Sequence, residues 1–311
     1  MTDAIQYLID AIAFGSLFAV MALGLALLFN VMGLMNFAYG ELIMAGAYTM
    51  YYTRDFGWPA MVVLTIVIVV VLSVLLELVA FRPVRNASPM TLLVTSFAVS
   101  YGLQQLAWMT VGRGPQKGVE PYPWLTVQMD IGGVRISRLA ILTMGVAIVL
   151  FAGMSLMLKR TRLGMQLRAS TEDFRMAQLV GVKANWVISS AFAITGFLAA
   201  VVALLYILRT GAIDPEIGRG PLLVAFVGGV IGGLGSLAGA AIGGFVLGGI
   251  INGLQASLPT KFASHTLMFA FVAVIAILVL APNGLVAIRG GALKRAWRRI
   301  RPEPVAEGAK P

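Results

Sequence analysis

Cysteine is absent from this chain, and histidine occurs once, at His265. No disulfide framework can form, no cysteine metal site is possible, and the redox compartment is not readable from thiols. A single histidine at a helix start is an interface residue rather than a catalytic base. No Walker A sequence occurs, so the chain cannot bind ATP by a P-loop. The run from Gly233 to Ala238 (GLGSLA) fits the loose G-x-G-x-x-A form. It lies inside an apolar glycine stretch and follows no strand, which removes it as a dinucleotide site. No enzyme constellation is present, and neither a metal nor a cofactor is expected. Charge is scarce too. Only 12% of the 311 residues are charged and 59% are hydrophobic, whereas a soluble domain carries about 25% charged residues. The mean hydropathy is +0.91, and the composition is that of a polytopic membrane protein.

What charge there is has a pattern. The net charge of +10 would suit nucleic acid, but the basic residues cluster in short loops and the tail, so the excess reads as topogenic and no nucleic-acid partner is expected. A spanning helix needs roughly 20 apolar residues. Candidate spans are 5–29, 37–52, 59–80, 90–111, 139–158, 187–208, 222–234, 237–258 and 266–281. The second and seventh are short enough to be broken or re-entrant. The expected fold is therefore all-α: one transmembrane domain over 1–311, a helical bundle of about eight to ten transmembrane helices with broken or re-entrant segments. The loop around Arg82 and Arg85, the loop 159–186 and the basic tail 289–311 hold fifteen of the 23 Lys and Arg residues. The positive-inside rule places these in the cytoplasm and the N-terminus outside. The acidic start, MTDAIQYLID, has no basic n-region and does not read as a cleaved signal. The loop 112–137 is then external, and WLTVQMDIGGVRIS within it alternates around Gly132–Gly133 as a small hairpin would. The tail segment ALKRAWRRIR suits either anionic lipid or water.

Four features stand out from the apolar background. Between Gly228 and Gly253 there are eleven glycines, many four apart. In lipid that spacing lets helix backbones approach closely. The segment GMQLRASTEDFRMAQLVGVKAN (164–185) is too polar to be embedded. It predicts a short amphipathic helix from Arg168 to Val180, with Phe174, Ala177 and Val180 near one face, Glu172, Asp173 and Arg175 exposed, and Gly181 as its stop. Such a helix is a suitable knob for a cytoplasmic partner or an ordinary loop helix. In the fourth span, Ser96, Ser100 and Gln104 share one face. They can line a path for a polar solute or bond their own helix carbonyls. Finally, NVMGLMNFAYGELIMAGAY (30–48) carries Glu41 inside apolar sequence. An intramembrane carboxylate faces protein or water and is a functional candidate. With Asn36 as a possible cap, Glu41 comes just over one turn into a helix beginning near Phe37. It then sits either on a small, closely packed face or near the inner headgroups, closing a hydrogen bond to a broken helix end. Glu77 lies near the inner end of its span, where it can snorkel or pair with Arg82.

Taken together, GLALLFNVMGLMNFAYGELIMAGAY, IGGVRIS, RASTEDFRMAQLVGV, VGGVIGGLGSLAGAAIGGFVLGGI and APNGL resemble the branched-chain amino-acid permease family of bacterial ATP-binding-cassette importers, in particular its LivH-type half. The likeness runs in order from about Leu23 to Leu285. It implies a type II importer-like permease of the bacterial inner (cytoplasmic) membrane, with no catalysis of its own. The implied partners are a second permease subunit, expected to be a paralogue, two cytoplasmic ATPase subunits and a soluble solute-binding protein, all set among membrane lipids. It also implies that Glu172, Asp173, Ala177 and Gly181 belong to a coupling helix seated on an ATPase. Asn36, Gly40, Glu41, Ser96, Ser100 and Gln104 are the candidates for a transport path or gate. The usual family motif has a histidine where this sequence has Tyr39, while Asn36, Gly40 and Glu41 are kept. Cargo within the family includes leucine, isoleucine and valine, and also urea, short amides and other amino acids. An ion-coupled carrier or channel acting alone, and a scaffold without transport, are the readings from other classes.

Overall fold

The computed structural model describes residues 2–33, 36–111, 116–117, 125, 127–131, 134–172, 174–233, 235–259 and 265–280. Each of the nine candidate spans coincides with a helix. These are α1 (Thr2–Met32), α2 (Tyr39–Thr53), α3 (Trp58–Leu76), α4 (Pro89–Val111), α5 (Arg138–Arg160), α8 (Ala184–Thr210), α9 (Arg219–Gly232), α10 (Leu237–Ser257) and α11 (Thr266–Leu280). Two further helices, α6 (Arg162–Glu172) and α7 (Phe174–Leu179), form the polar elbow between α5 and α8. Among the described residues, five helices are long and apolar enough to cross a membrane: α1, α3 with its π-helical extension Glu77–Phe81, α5, α8 and α10. Among the short ones, α2 has 15 residues and α9 has 14. At about 1.5 Å per residue each covers roughly 22 Å, less than the hydrocarbon thickness of about 30 Å. Both are therefore half-helices that must be enclosed by protein.

Burial sorts the helices into layers. Residues 13–28 of α1 are buried without interruption, which makes α1 the axis of the bundle. It packs on α5, α8, α9 and α10. Nearly all of α2 is buried as well. The outer helices behave in the opposite way. In α3 the buried residues are Met61, Thr65, Val69 and Ser73, one stripe at four-residue spacing, and the rest of a strongly apolar helix is exposed. Helices α4 and α5 likewise bury narrow stripes that include Ser96, Gln104 and Thr143. Polar groups turned inward and apolar groups turned outward are what a lipid solvent selects.

The glycine run packs as its spacing predicts, but only in part. A methyl group placed on Gly232 would lie 1.8 Å from the Gly239 carbonyl oxygen. One on Gly243 would lie 2.0 Å from that of Gly228, and one on Gly244 would lie 2.6 Å from that of Phe18. These positions join α9 to α10 and α10 to α1 by backbone contact. Gly235, Gly249 and Gly253 meet nothing within 4 Å, so part of the small-residue pattern faces away from neighbours.

Strand β2 (Gln128–Ile131) pairs antiparallel with β3 (Val134–Ser137), Ile131 opposite Val134, as the alternation predicts; Gly132 and Gly133 lie outside the described residues. The hairpin is tied to α1 by the Arg135 amide, which donates to Gln6 Oε1 at 2.9 Å. Strand β1 (Gln116–Lys117) pairs with β4 (Ala212–Ile213) just before α9. The tail 289–311 and the APNGL motif fall outside the described residues.

Replacing Gly232 by Ala is expected to lower the melting temperature of the detergent-solubilised protein, because overpacking of this kind costs about 1–3 kcal/mol. Gly249→Ala, at an open helical position, is expected to leave it unchanged or slightly raised. Fluorescence-detected thermal melts of the two variants make the comparison.

Candidate functional site

The site begins with the turn between α1 and α2. Gly33, at φ +70°, ends α1 with its amide bonded to Phe29. Asn36 then closes an Asx turn: its Oδ1 accepts from the Ala38 amide at 3.0 Å, and its carbonyl accepts from the Tyr39 amide at 3.2 Å. The helix therefore starts at Tyr39, two residues later than expected, with Ala38 as its cap residue. Asn36 shapes the turn before the cap rather than the cap itself. Its Nδ2 is buried without a partner among the described residues.

Glu41 consequently lies in the first turn of α2, where the partial positive charge of the helix N-terminus favours a carboxylate. It is 2% exposed. Its Oε1 accepts from the Ser100 hydroxyl at 2.8 Å, and its Oε2 has no partner among the described residues. Ser100 sits at the midpoint of α4, eleven residues from Pro89 and eleven from Val111. Glu41 is thus level with the middle of the 23-residue helix α4.

A second half-helix starts at the same spot. Asp214 Oδ1 accepts from the Glu216 amide at 2.7 Å, turning the chain into α9, whose cap residue is Gly218. Gly218 and Gly40 cross in backbone contact: a methyl on Gly218 would stand 2.0 Å from the Gly40 carbonyl oxygen, and one on Gly40 would stand 2.8 Å from that of Gly218. Gly40 is therefore a crossing point between two helix N-termini, a packing role rather than a lining one. Tyr39, where the resembling family has histidine, is fully buried and faces α1. A methyl on Gly24 would meet its hydroxyl at 2.5 Å.

Helix α4 closes over this junction along one edge. Phe97 stacks on Phe37 at 4.0 Å between ring centroids. Ser100 reaches Glu41. Gln104 donates from Nε2 to the Pro215 carbonyl at 3.1 Å and accepts from the Arg219 guanidinium at Oε1. Arg219 also pairs with Glu216 at 3.0 Å. Of the three polar residues predicted on one face of α4, two reach across to the half-helices. Ser96 is fully buried but bonds the Leu93 carbonyl of its own helix at 2.8 Å. Arg219 was not a sequence candidate. It stands among outer-loop cations in the charge pattern, and its one distinguishing signal is that glycines flank it on both sides.

The elbow also departs from expectation. The helical stretch begins at Arg162 rather than at the expected Arg168 and ends at Leu179; it is described as α6 and α7 on either side of Asp173, which lies outside the described residues. Glu172 is exposed at the end of α6. Ala177 is buried, but Val180 is 81% exposed rather than on the packed face, as is Leu179, with Met176 at 62%. Gly181 stops α7 as predicted, at φ +93°: its amide bonds the Gln178 carbonyl and the Val182 amide bonds that of Ala177, both at 3.0 Å. That double bond pattern is the Schellman stop. Glu77 departs as well. It is fully buried in the π-helical turn, and its Oε2 accepts from Ser189 at 2.7 Å rather than pairing with the exposed Arg82.

Residues 7–281 match the family described as branched-chain amino acid transport system / permease component. Among relatives, the chain is 31% identical to the high-affinity branched-chain amino acid transport system permease protein BraD of Pseudomonas aeruginosa, covering 78% of this chain and 84% of that one. It is 30% identical to the corresponding protein LivH of Escherichia coli, covering 90% and 94%. A probable branched-chain amino acid transport permease protein of Methanocaldococcus jannaschii is 27% identical over 92% and 93%. No solved structure matches the chain.

Losing a buried hydrogen bond costs about 1–3 kcal/mol, so Gln104→Ala is expected to loosen α4 over the junction. The chain has no native cysteine, so a single Ser96→Cys reporter at a fully buried position reads this directly. Maleimide labelling of Cys at that position is expected to speed up about tenfold when Gln104→Ala is added. An unchanged rate means that other contacts hold α4 shut.

Proposed function

Because the chain belongs to the permease-component family of branched-chain amino acid transport systems, we propose that it is the membrane-spanning half of an ATP-driven importer. It would work in the bacterial inner membrane beside a second permease subunit, two cytoplasmic ATPases and a soluble binding protein. The chain has no nucleotide motif of its own. Energy must then enter through a contact, and the observation that supports this most directly is the elbow. Helix α7 is short, stopped by Gly181, and presents Met176, Leu179 and Val180 outward on a segment too polar to lie in lipid. An exposed apolar knob on a polar elbow is an unfinished interface, and an ATPase cleft is its proposed complement. Glu172, Ala177 and Gly181 shape this knob.

In this reading the junction of α2, α4 and α9 is the gate. Asn36, Gly40 and Glu41 form its fixed side, and Ser100 and Gln104 its movable side. Ser96 stiffens the movable helix. Branched-chain amino acids are the favoured cargo, since the relatives that cover most of the chain carry that description. Solute-stimulated ATPase activity of the reconstituted assembly, measured with a panel of amino acids, urea and short amides, decides among the cargoes. No stimulation by any of them overturns the importer reading.

Two substitutions separate the two halves of this proposal. Leu179→Glu places a charge on a fully formed surface, so the permease is expected to fold and insert normally yet lose the ATPase subunits in pull-down. Retention of the complex and of coupled uptake places the motor elsewhere. Glu41→Ala is expected to leave the assembly intact and reduce uptake at least tenfold. Normal uptake at normal abundance makes the carboxylate incidental.

A further inference from the structure

Two cavities open along one stripe of α8. The first, about 470 Å³, lies at the basic end of the bundle and is lined by Arg82, Lys183, Ala184, Asn185, Trp186 and Ser189. The second, about 460 Å³, lies deeper between α3, α5 and α8, and its lining includes Val70, Leu150, Gly153, Met154, Ile194 and Phe197. Asn185, Ser189, Ala193 and Phe197 recur every four residues and so share a face of the helix. From Ser189 to Phe197 the rise is about 12 Å. The lining therefore changes from cationic to wholly apolar within the length of a lipid's glycerol and upper acyl chain.

The outer cavity is built for an anion. Among the described residues neither Arg82 nor Lys183 forms an ion pair. The first turn of α8 has no acidic residue, and no side chain caps it. The Val187 amide is the first to find a carbonyl, that of Lys183, which leaves the preceding amides of this 27-residue helix directed at the cavity's mouth. Arg85 stands alongside and donates to Asn185. Glu77 lies behind Ser189, fully buried, and accepts the hydrogen bond that this hydroxyl donates, so Ser189 offers the cavity no donor. Trp186, 63% exposed, marks the rim as aromatic side chains do at the headgroup level.

The inner cavity identifies the source of the anion. A soluble phosphate would fill the polar mouth and leave an apolar trough of similar volume without purpose. The trough passes over Gly153, where an added methyl would meet nothing within 4 Å. An anionic phospholipid satisfies both halves at once, its phosphate held by two cations and helix amides. We propose that α3, α5 and α8 form a binding site for one anionic phospholipid, headgroup between Arg82 and Lys183 and acyl chain in the trough over Gly153. The site lies directly after the elbow, since Lys183 is two residues beyond Gly181. A bound headgroup therefore braces the base of α7. The assignment stands apart from cargo and from ATPase coupling.

The test uses the purified, delipidated full chain and native mass spectrometry. Phosphatidylglycerol is expected to bind at least tenfold tighter than phosphatidylcholine of the same chains. Joint Arg82→Gln and Lys183→Gln substitution is expected to erase that preference. Gly153→Phe, whose Cβ would meet nothing within 4 Å, is expected to weaken phosphatidylglycerol at least tenfold while the melting temperature is kept. Equal binding of the two lipids, undiminished binding by either variant, or full competition by inorganic phosphate overturns the proposal. So does loss of self-association in Gly153→Phe, which would assign the trough to a second copy of the chain.

Discussion

The junction of α2, α4 and α9 is arranged around a carboxylate, Glu41, that has been taken out of water. Even partial burial of an unpaired carboxylate costs several kcal/mol. Glu41 meets that cost with three modest terms. The Ser100 hydroxyl donates to it, in a charged hydrogen bond of about 1.5–3 kcal/mol. The N-terminus of α2 contributes up to about 1–2 kcal/mol in a partly buried setting. The N-terminus of α9 adds a second positive end, brought close by the contact of Gly40 with Gly218. Each term demands a structural feature. The helices must begin mid-bundle, so they are half-helices. Half-helices expose unsatisfied amides and carbonyls that lipid cannot satisfy, so they must be wrapped in protein. For α9 the wrapping is α10 with its glycine surface and α1, buried without break from 13 to 28; for α2 it is α3 and α8.

Close approach is what makes this wrapping possible. Gly228, Gly232, Gly239, Gly243 and Gly244 let α9, α10 and α1 touch backbone to backbone. Without water to drive helices together, such contacts supply the dispersion energy of association. Helix α4 is the exception. It meets its neighbours chiefly through an aromatic stack, one serine and one glutamine. A helix secured by a few polar bonds over a charged junction is easier to displace than one seated in a glycine groove, and that contrast is why the gate is assigned to α4 rather than to α10.

Much of the fold could be read before any coordinates, and the reasons are particular. Apolar length located all nine bundle helices, because the bilayer imposes one scale on every span. The hairpin at β2 and β3 followed from alternation, and the stop at Gly181 from a glycine after a short amphipathic run. The junction was only half visible. Asn36, Gly40, Glu41, Ser100 and Gln104 each violate an apolar background, so they could be noticed. Their mutual contact spans up to 111 residues of sequence, as in the bond from Gln104 to Pro215, and no local pattern encodes it. Arg219 escaped because loop cations are ordinary. Val180 was misplaced because the regular helix ends at Leu179, so Val180 falls in the Gly181 turn and off the helical face. Glu77 was misread for a similar reason: the π-helical turn rotates it inward, away from Arg82 and onto Ser189.

The elbow and the junction lie at opposite ends of one element, and this gives the proposed coupling a mechanical basis. Helix α8 runs unbroken for 27 residues from Ala184, just after the Gly181 stop, to Thr210. Along the way it is latched to the bundle by the bond from Ser73 to the Phe192 carbonyl and by Gly196 pressed against Ser73. At its far end Gly211, at φ +69°, turns the chain into β4 and then into Asp214, Pro215 and Glu216. Those are the residues that hold Gln104 and Arg219. A packed helix moves as a rigid body, so a displacement of its basic end cannot be absorbed along its length. It must appear either at the latch with α3 or at the loop that fastens α4. The latch is short, direct and buried, whereas the fastening loop rests on an exposed ion pair and one glutamine. Under the proposed coupling, motion entering at the elbow would therefore be delivered preferentially to the helix that covers Glu41.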